Sequence, residues 1–132
     1  MSGFSGPISD TLLTTGVADT PTVTATTGTI TTVTLNSARY FKFGKLVYWH
    51  GQATITTNGT GAGKIRFTLP SALGNVTNKN SFACGRETAA TGKMLQGVFT
   101  LGQQYIDVAF YDDTYPGADG RTLILDGWYE VA

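Results

Sequence analysis

Long stretches of this chain change character at every second residue, and a period of two is compatible only with extended strands. Residues 46–57 show it most clearly. Val47, Trp49, Ala53 and Ile55 are apolar, while His50, Gln52, Thr54 and Thr56 between them are polar. Ile65, Phe67 and Leu69 alternate with Lys64, Arg66 and Thr68, and Ile106, Val108 and Phe110 alternate with Tyr105, Asp107 and Tyr111. Leu123, Leu125, Tyr129 and Val131 form the inward set of the last such segment. Further strands are predicted over residues 22–25, 30–35, 39–43, 81–87 and 93–101. Turn residues separate them, at Gly28, at Gly44-Lys45 and over the glycine-rich residues 58–63. No segment carries a helical period or a βαβ pattern. About nine short strands in 132 residues predict an all-β, antiparallel β-sandwich of jelly-roll-like type over residues 20–132.

Composition agrees with strands and turns. Threonine is abundant, there are 17 glycines, and charged residues make up 14% of the chain. Formal net charge is zero and no Lys/Arg stripe exists, which argues against a nucleic-acid partner. No apolar run reaches membrane-spanning length, and the opening residues lack a signal-peptide layout. Residues 1–19 carry Phe4, Ile8, Leu12 and Leu13 as scattered apolar anchors among glycine and serine. Such a segment buries too little to fold alone, and it reads as either a flexible leader or an arm that orders against another chain. Cys84, the lone cysteine, has Phe82 and Ala83 beside it and is expected to be a buried thiol.

A search for chemistry returns little. His50 is the single histidine, and no nucleophile motif surrounds Cys84 or any serine, so it reads as a strand-surface or interface histidine. The nine carboxylates can be paired in many ways, none of them distinctive. Asp112, Asp113 and Asp119 could contribute oxygens to a calcium ion, but their spacing is not that of an EF-hand. Asp, Pro and Gly are also what a tight loop requires, and turn chemistry is the preferred reading. Residues 59–64 look superficially like a phosphate loop, yet an alternating strand comes next where a helix is needed. No catalytic residue, metal or cofactor is expected. Trp49 lies on a core face. Trp128 and Ile124 share the opposite face of their strand, where an exposed tryptophan points to a subunit interface, a sugar-stacking site or a face covered by the chain itself.

Several stretches, in order, resemble a domain found at the ends of bacteriophage tail-fibre and virion appendage proteins. They are Thr22-Val23-Thr24-Ala25, then Arg39-Tyr40-Phe41-Lys42-Phe43-Gly44-Lys45-Leu46-Val47, then Ala53-Thr54-Ile55-Thr56-Thr57 ahead of Gly59-Thr60-Gly61-Ala62-Gly63, then Phe67-Thr68-Leu69-Pro70. Gly85-Arg86-Glu87, Gly92-Lys93-Met94-Leu95-Gln96-Gly97 and Tyr111-Asp112-Asp113-Thr114-Tyr115-Pro116-Gly117 complete the series. The resemblance implies a virion structural protein, commonly a homotrimer, that works by assembly and host-surface binding. A tail-fibre tip, a head spike or a capsid decoration would each suit it, with residues 1–19 contacting other virion proteins. Tyr111, Asp113, Tyr115 and Arg121 are the candidate receptor or glycan contacts, because aromatic and charged groups together suit sugar recognition. Arg86, Glu87, Lys93 and Gln96 are candidates for a polar network or for ligand contact. The alternative is a free-standing, lectin-like carbohydrate-binding module, which would be monomeric.

Overall fold

The alternation has its expected consequence: each apolar set turns to one side and closes a shared interior. The computed structural model of the chain describes residues 16–132 and contains nine strands. They are β1 (Val17–Ala18), β2 (Val23–Thr27), β3 (Thr32–Phe43), β4 (Leu46–Thr57) and β5 (Ala62–Thr68). After a short 3-10 turn at Ser71–Leu73 come β6 (Ser81–Glu87), β7 (Met94–Phe99), β8 (Tyr105–Phe110) and β9 (Arg121–Glu130). Every pairing is antiparallel, in the order β1-β3-β4-β9-β6-β7-β8-β5-β2. The all-β sandwich is therefore one continuous sheet curled over on itself.

Ring contacts show the curl directly. Trp49 on β4 meets Phe67 on β5 edge-on at 5.5 Å, although five places separate those strands in the sheet. Trp49 also meets Phe99 of β7 at 6.1 Å, and Phe99 stacks on Tyr129 of β9 at 4.9 Å. Val47, Ile55, Ile65, Ile106, Val108, Leu123 and Leu125 fill the space around these rings, fully buried. At about 1.5–3 kcal/mol for each large apolar side chain buried, this interior supplies the main drive to fold. Gly85 is what lets β6 lie against β9, because a Cβ there would stand 1.7 Å from the Ile124 carbonyl oxygen.

The strand count matches the sequence expectation, but two elements differ in kind. The segments predicted at 30–35 and 39–43 are one strand, β3, whose register shifts between Leu35 and Ser37 while it pairs with β4. The extra residue is absorbed as an irregularity instead of ending the strand. The ninth strand is β1, where Val17 and Ala18 pair with Tyr40 and Arg39. Residues 1–15 of the expected arm, including Phe4, Ile8, Leu12 and Leu13, lie outside the described residues.

Cys84 corrects a sequence expectation, for it is exposed rather than buried. Ala83 and Glu87 are the buried residues of β6, so the intervening Cys84 falls on the outer face opposite Gln96 and Asp126. Its neighbour Phe82 is also outward. The apolar run 82–84 thus straddles both faces.

Candidate functional site

The outer face of the sheet gathers residues that no single stretch of sequence reveals. Phe41 on β3 pairs with Tyr48 on β4, and Tyr48 pairs with Trp128 on β9. Gly127 pairs with Ala83, so the next residues along, Trp128 and Phe82, stand side by side across β9 and β6. Four aromatic side chains therefore run in one row across four adjacent strands. The Phe41 and Tyr48 rings lie 6.1 Å apart, and Tyr48 and Trp128 5.2 Å apart. Phe41 is 42% exposed, Trp128 49% and Phe82 70%, so the row is not covered by another part of the described chain. Phe43 and Leu46, paired at the adjoining hairpin end, widen the apolar strip.

Beside this row runs a polar one. His50 Nδ1 lies 3.4 Å from Asp126 Oδ1, in register with Arg39 on one side and Cys84 on the other. Burial raises the Tyr48 phenol pKa, and Asp126 adds to the effect. Ile124, half-buried, stands on the same outer face between Gln52 and Arg86. Trp128 and Ile124 thus share a face with the His50–Asp126 pair between them.

The late loop uses its polar groups in different ways. The Tyr115 hydroxyl donates to Asn58 Oδ1 at 2.6 Å, and the ring packs on the core. Arg121 donates to the Pro116 carbonyl at 3.1 Å and lies over the Phe110 ring. Both therefore hold the loop. Tyr111 is exposed, and Asp113, in the left-handed region at φ 66°, presents its carboxylate 3.3 Å from Lys64 Nζ. The three aspartates diverge: Asp112 accepts from Thr114, Asp113 faces Lys64, and Asp119 accepts from the Asn58 N–H. Among the described residues no three acidic, histidine or cysteine side chains come together to hold a metal ion.

Glu87 is fully buried at the end of β6 and accepts hydrogen bonds from the backbone N–H groups of Ala89, Ala90, Thr91 and Thr122 and from the Thr91 hydroxyl. Burial alone would push its carboxyl up. The bonds from Thr91, Ala89 and Thr122 outweigh that and bring the pKa down to about 2. Of the other residues grouped with it, Arg86 donates to the Gly92 carbonyl and Lys93 lies 5.3 Å from the Phe110 ring centre. Gln96 donates to the Phe110 carbonyl from the outer face. The four do not form one network: Glu87 caps a turn beneath the sheet, while Gln96 lines a groove above it.

Phe41, Tyr48 and Phe82 are site residues that sequence reasoning missed. Each lies on a different strand, and only register brings them together. The outward parity of Tyr48 within 46–57 was the one available signal.

No known protein family matches the sequence, and no curated protein matches it. Among solved structures the fold is similar to part of the Dettilon tailspike protein (gp208), with a TM-score of 0.64 and 15% sequence identity. The likeness covers 89% of this chain and 24% of the tailspike, so the chain spans about a quarter of that protein's length. At this identity the likeness is one of fold.

Proposed function

We propose that this chain is a structural module of a bacteriophage virion, acting by assembly into a homo-oligomer, a trimer in the first instance, and by binding the host surface. The observation that carries the proposal is the outward aromatic row Phe41-Tyr48-Trp128-Phe82. A soluble monomer rarely leaves so many contiguous large apolar groups in water, and aromatic residues are enriched where subunits meet. Packing this row around a symmetry axis would remove it from solvent. The fold shared with part of a tailspike protein supports a virion location and the choice of phage. Residues 1–19 would contact other virion proteins. The module is proposed to be non-catalytic, a tail-fibre tip, head spike or capsid decoration.

Peptide mass spectrometry of purified particles, with copy number, tests this reading. Stoichiometric copies per particle are expected. Absence from particles, together with secretion as a free monomer, would instead favour the lectin-like module.

A further inference from the structure

Beyond the end of the aromatic row, the outer face of β5, β8 and β7 forms a groove of about 150 Å³, lined by Lys64, Gln96, Val98, Asp107, Ala109 and Asp113. We infer that this groove is a binding site for one neutral pyranose unit of a glycan, an assignment that rests on the proposed host-surface role. Three observations carry it. The first is charge: Lys64 faces Asp113 at 3.3 Å, and Asp107 takes both Nε and Nη2 of Arg66, at 2.7 and 2.9 Å. Two cations balance two anions, so a charged ligand gains nothing in net attraction, whereas hydroxyls that both donate and accept fit the pairs.

The second is the mixture of surfaces. Half-buried Val98 gives an apolar floor for the C–H face of a sugar, with buried Ala109 beneath it. Asp113 offers further acceptor positions beyond its ion pair, and Gln96 spends one N–H on the Phe110 carbonyl while its amide oxygen remains an acceptor. The third is size and pre-organisation. The volume is about half that of the smallest drug-sized pockets, roughly 300 Å³, which suits a single ring. Asp113 is held in place by a left-handed backbone turn, its N–H donating to the Phe110 carbonyl at 2.9 Å. A strained loop residue that positions a carboxylate over a groove is a feature of binding sites.

Titration of the full-length ¹⁵N-labelled protein with D-glucose, D-galactose and N-acetyl-D-glucosamine tests the inference, with D-glucuronate as a charged control. At least one neutral sugar is expected to move the Gln96 side-chain amide and the Val98 and Asp113 backbone signals at millimolar concentration. Asp113→Gly, which keeps the left-handed turn, and Gln96→Ala should each weaken that binding about tenfold. An unchanged melting temperature would separate this effect from misfolding. No groove response to any neutral sugar, a response to glucuronate alone, or unchanged affinity in both variants would each overturn the assignment. The virion reading is judged separately by particle composition, so the two can fail independently.

Discussion

Replacing Glu87 by glutamine keeps the volume of the side chain and removes its charge, and the geometry sets the cost. One carboxylate oxygen accepts from the Ala90 and Thr91 N–H groups and the Thr91 hydroxyl. The other accepts from the Ala89, Ala90 and Thr122 N–H groups. Whichever oxygen becomes the NH₂ of Gln, at least two N–H groups that bonded to the buried carboxylate then face a donor. Holding the carboxyl at about 2 rather than its ordinary 4.5 corresponds to about 3 kcal/mol of folding stability at neutral pH, and Glu87→Gln should lose about that much. Because the folded pKa lies below the unfolded one, this stabilisation is complete above about 4.5 and drains away as pH falls toward 2. Urea unfolding of both proteins, followed by tryptophan fluorescence from pH 7 down to about pH 2, reads the difference. The gap in unfolding free energy should be about 3 kcal/mol at neutral pH and shrink steadily below about pH 4.5. A gap under about 0.5 kcal/mol at pH 7, typical of an ordinary surface change, would refute the reasoning. A gap of constant size across the range would refute it equally.

Tyr115→Phe removes the bond to Asn58 that ties the late loop to the β4–β5 turn, and should cost about 1 kcal/mol in urea unfolding. A variant of unchanged stability would show that the bond does not hold the loop. Cys84 is exposed in the single chain but lies beside the proposed interface, so it should react with a disulfide reagent such as DTNB in the folded Trp128→Glu monomer, to one thiol per chain. Reaction that appears only after denaturation would place the thiol inside and overturn the assignment of β6 faces.

The interior was legible because its signal is local. In β4, β8 and β9 the identity of every second side chain decides its face, and Trp49, Ile106 and Leu125 fall inside as the period requires. Faces became illegible where apolar residues sit in succession. Phe82-Ala83-Cys84 gives no parity, and the face of β6 is set by the contact of Gly85 with the Ile124 backbone. Strand limits blurred at Asn36-Ser37, which look like turn residues but form a bulge within β3. The two residues of β1 are too few to carry a pattern. The candidate site was the least visible part, since Phe41, Tyr48, Trp128 and Phe82 become a row only through three strand registers. That Tyr115 and Arg121 also hold the late loop was hidden, because their partners Asn58 and the Pro116 carbonyl carry no sequence signature. Glu87 gave no sign of burial, because its partners are mainly backbone N–H groups that have no signature in sequence.

Sedimentation equilibrium of the full chain beside Trp128→Glu tests the central claim, that the outward aromatic row is an assembly surface. The account predicts a mass three times the 14.0 kDa of one chain for the natural protein. The variant should be a folded monomer, because a charge in a buried aromatic contact costs an interface well over about 2 kcal/mol. A natural protein that stays monomeric at every concentration, or an oligomer that Trp128→Glu leaves intact, would contradict it.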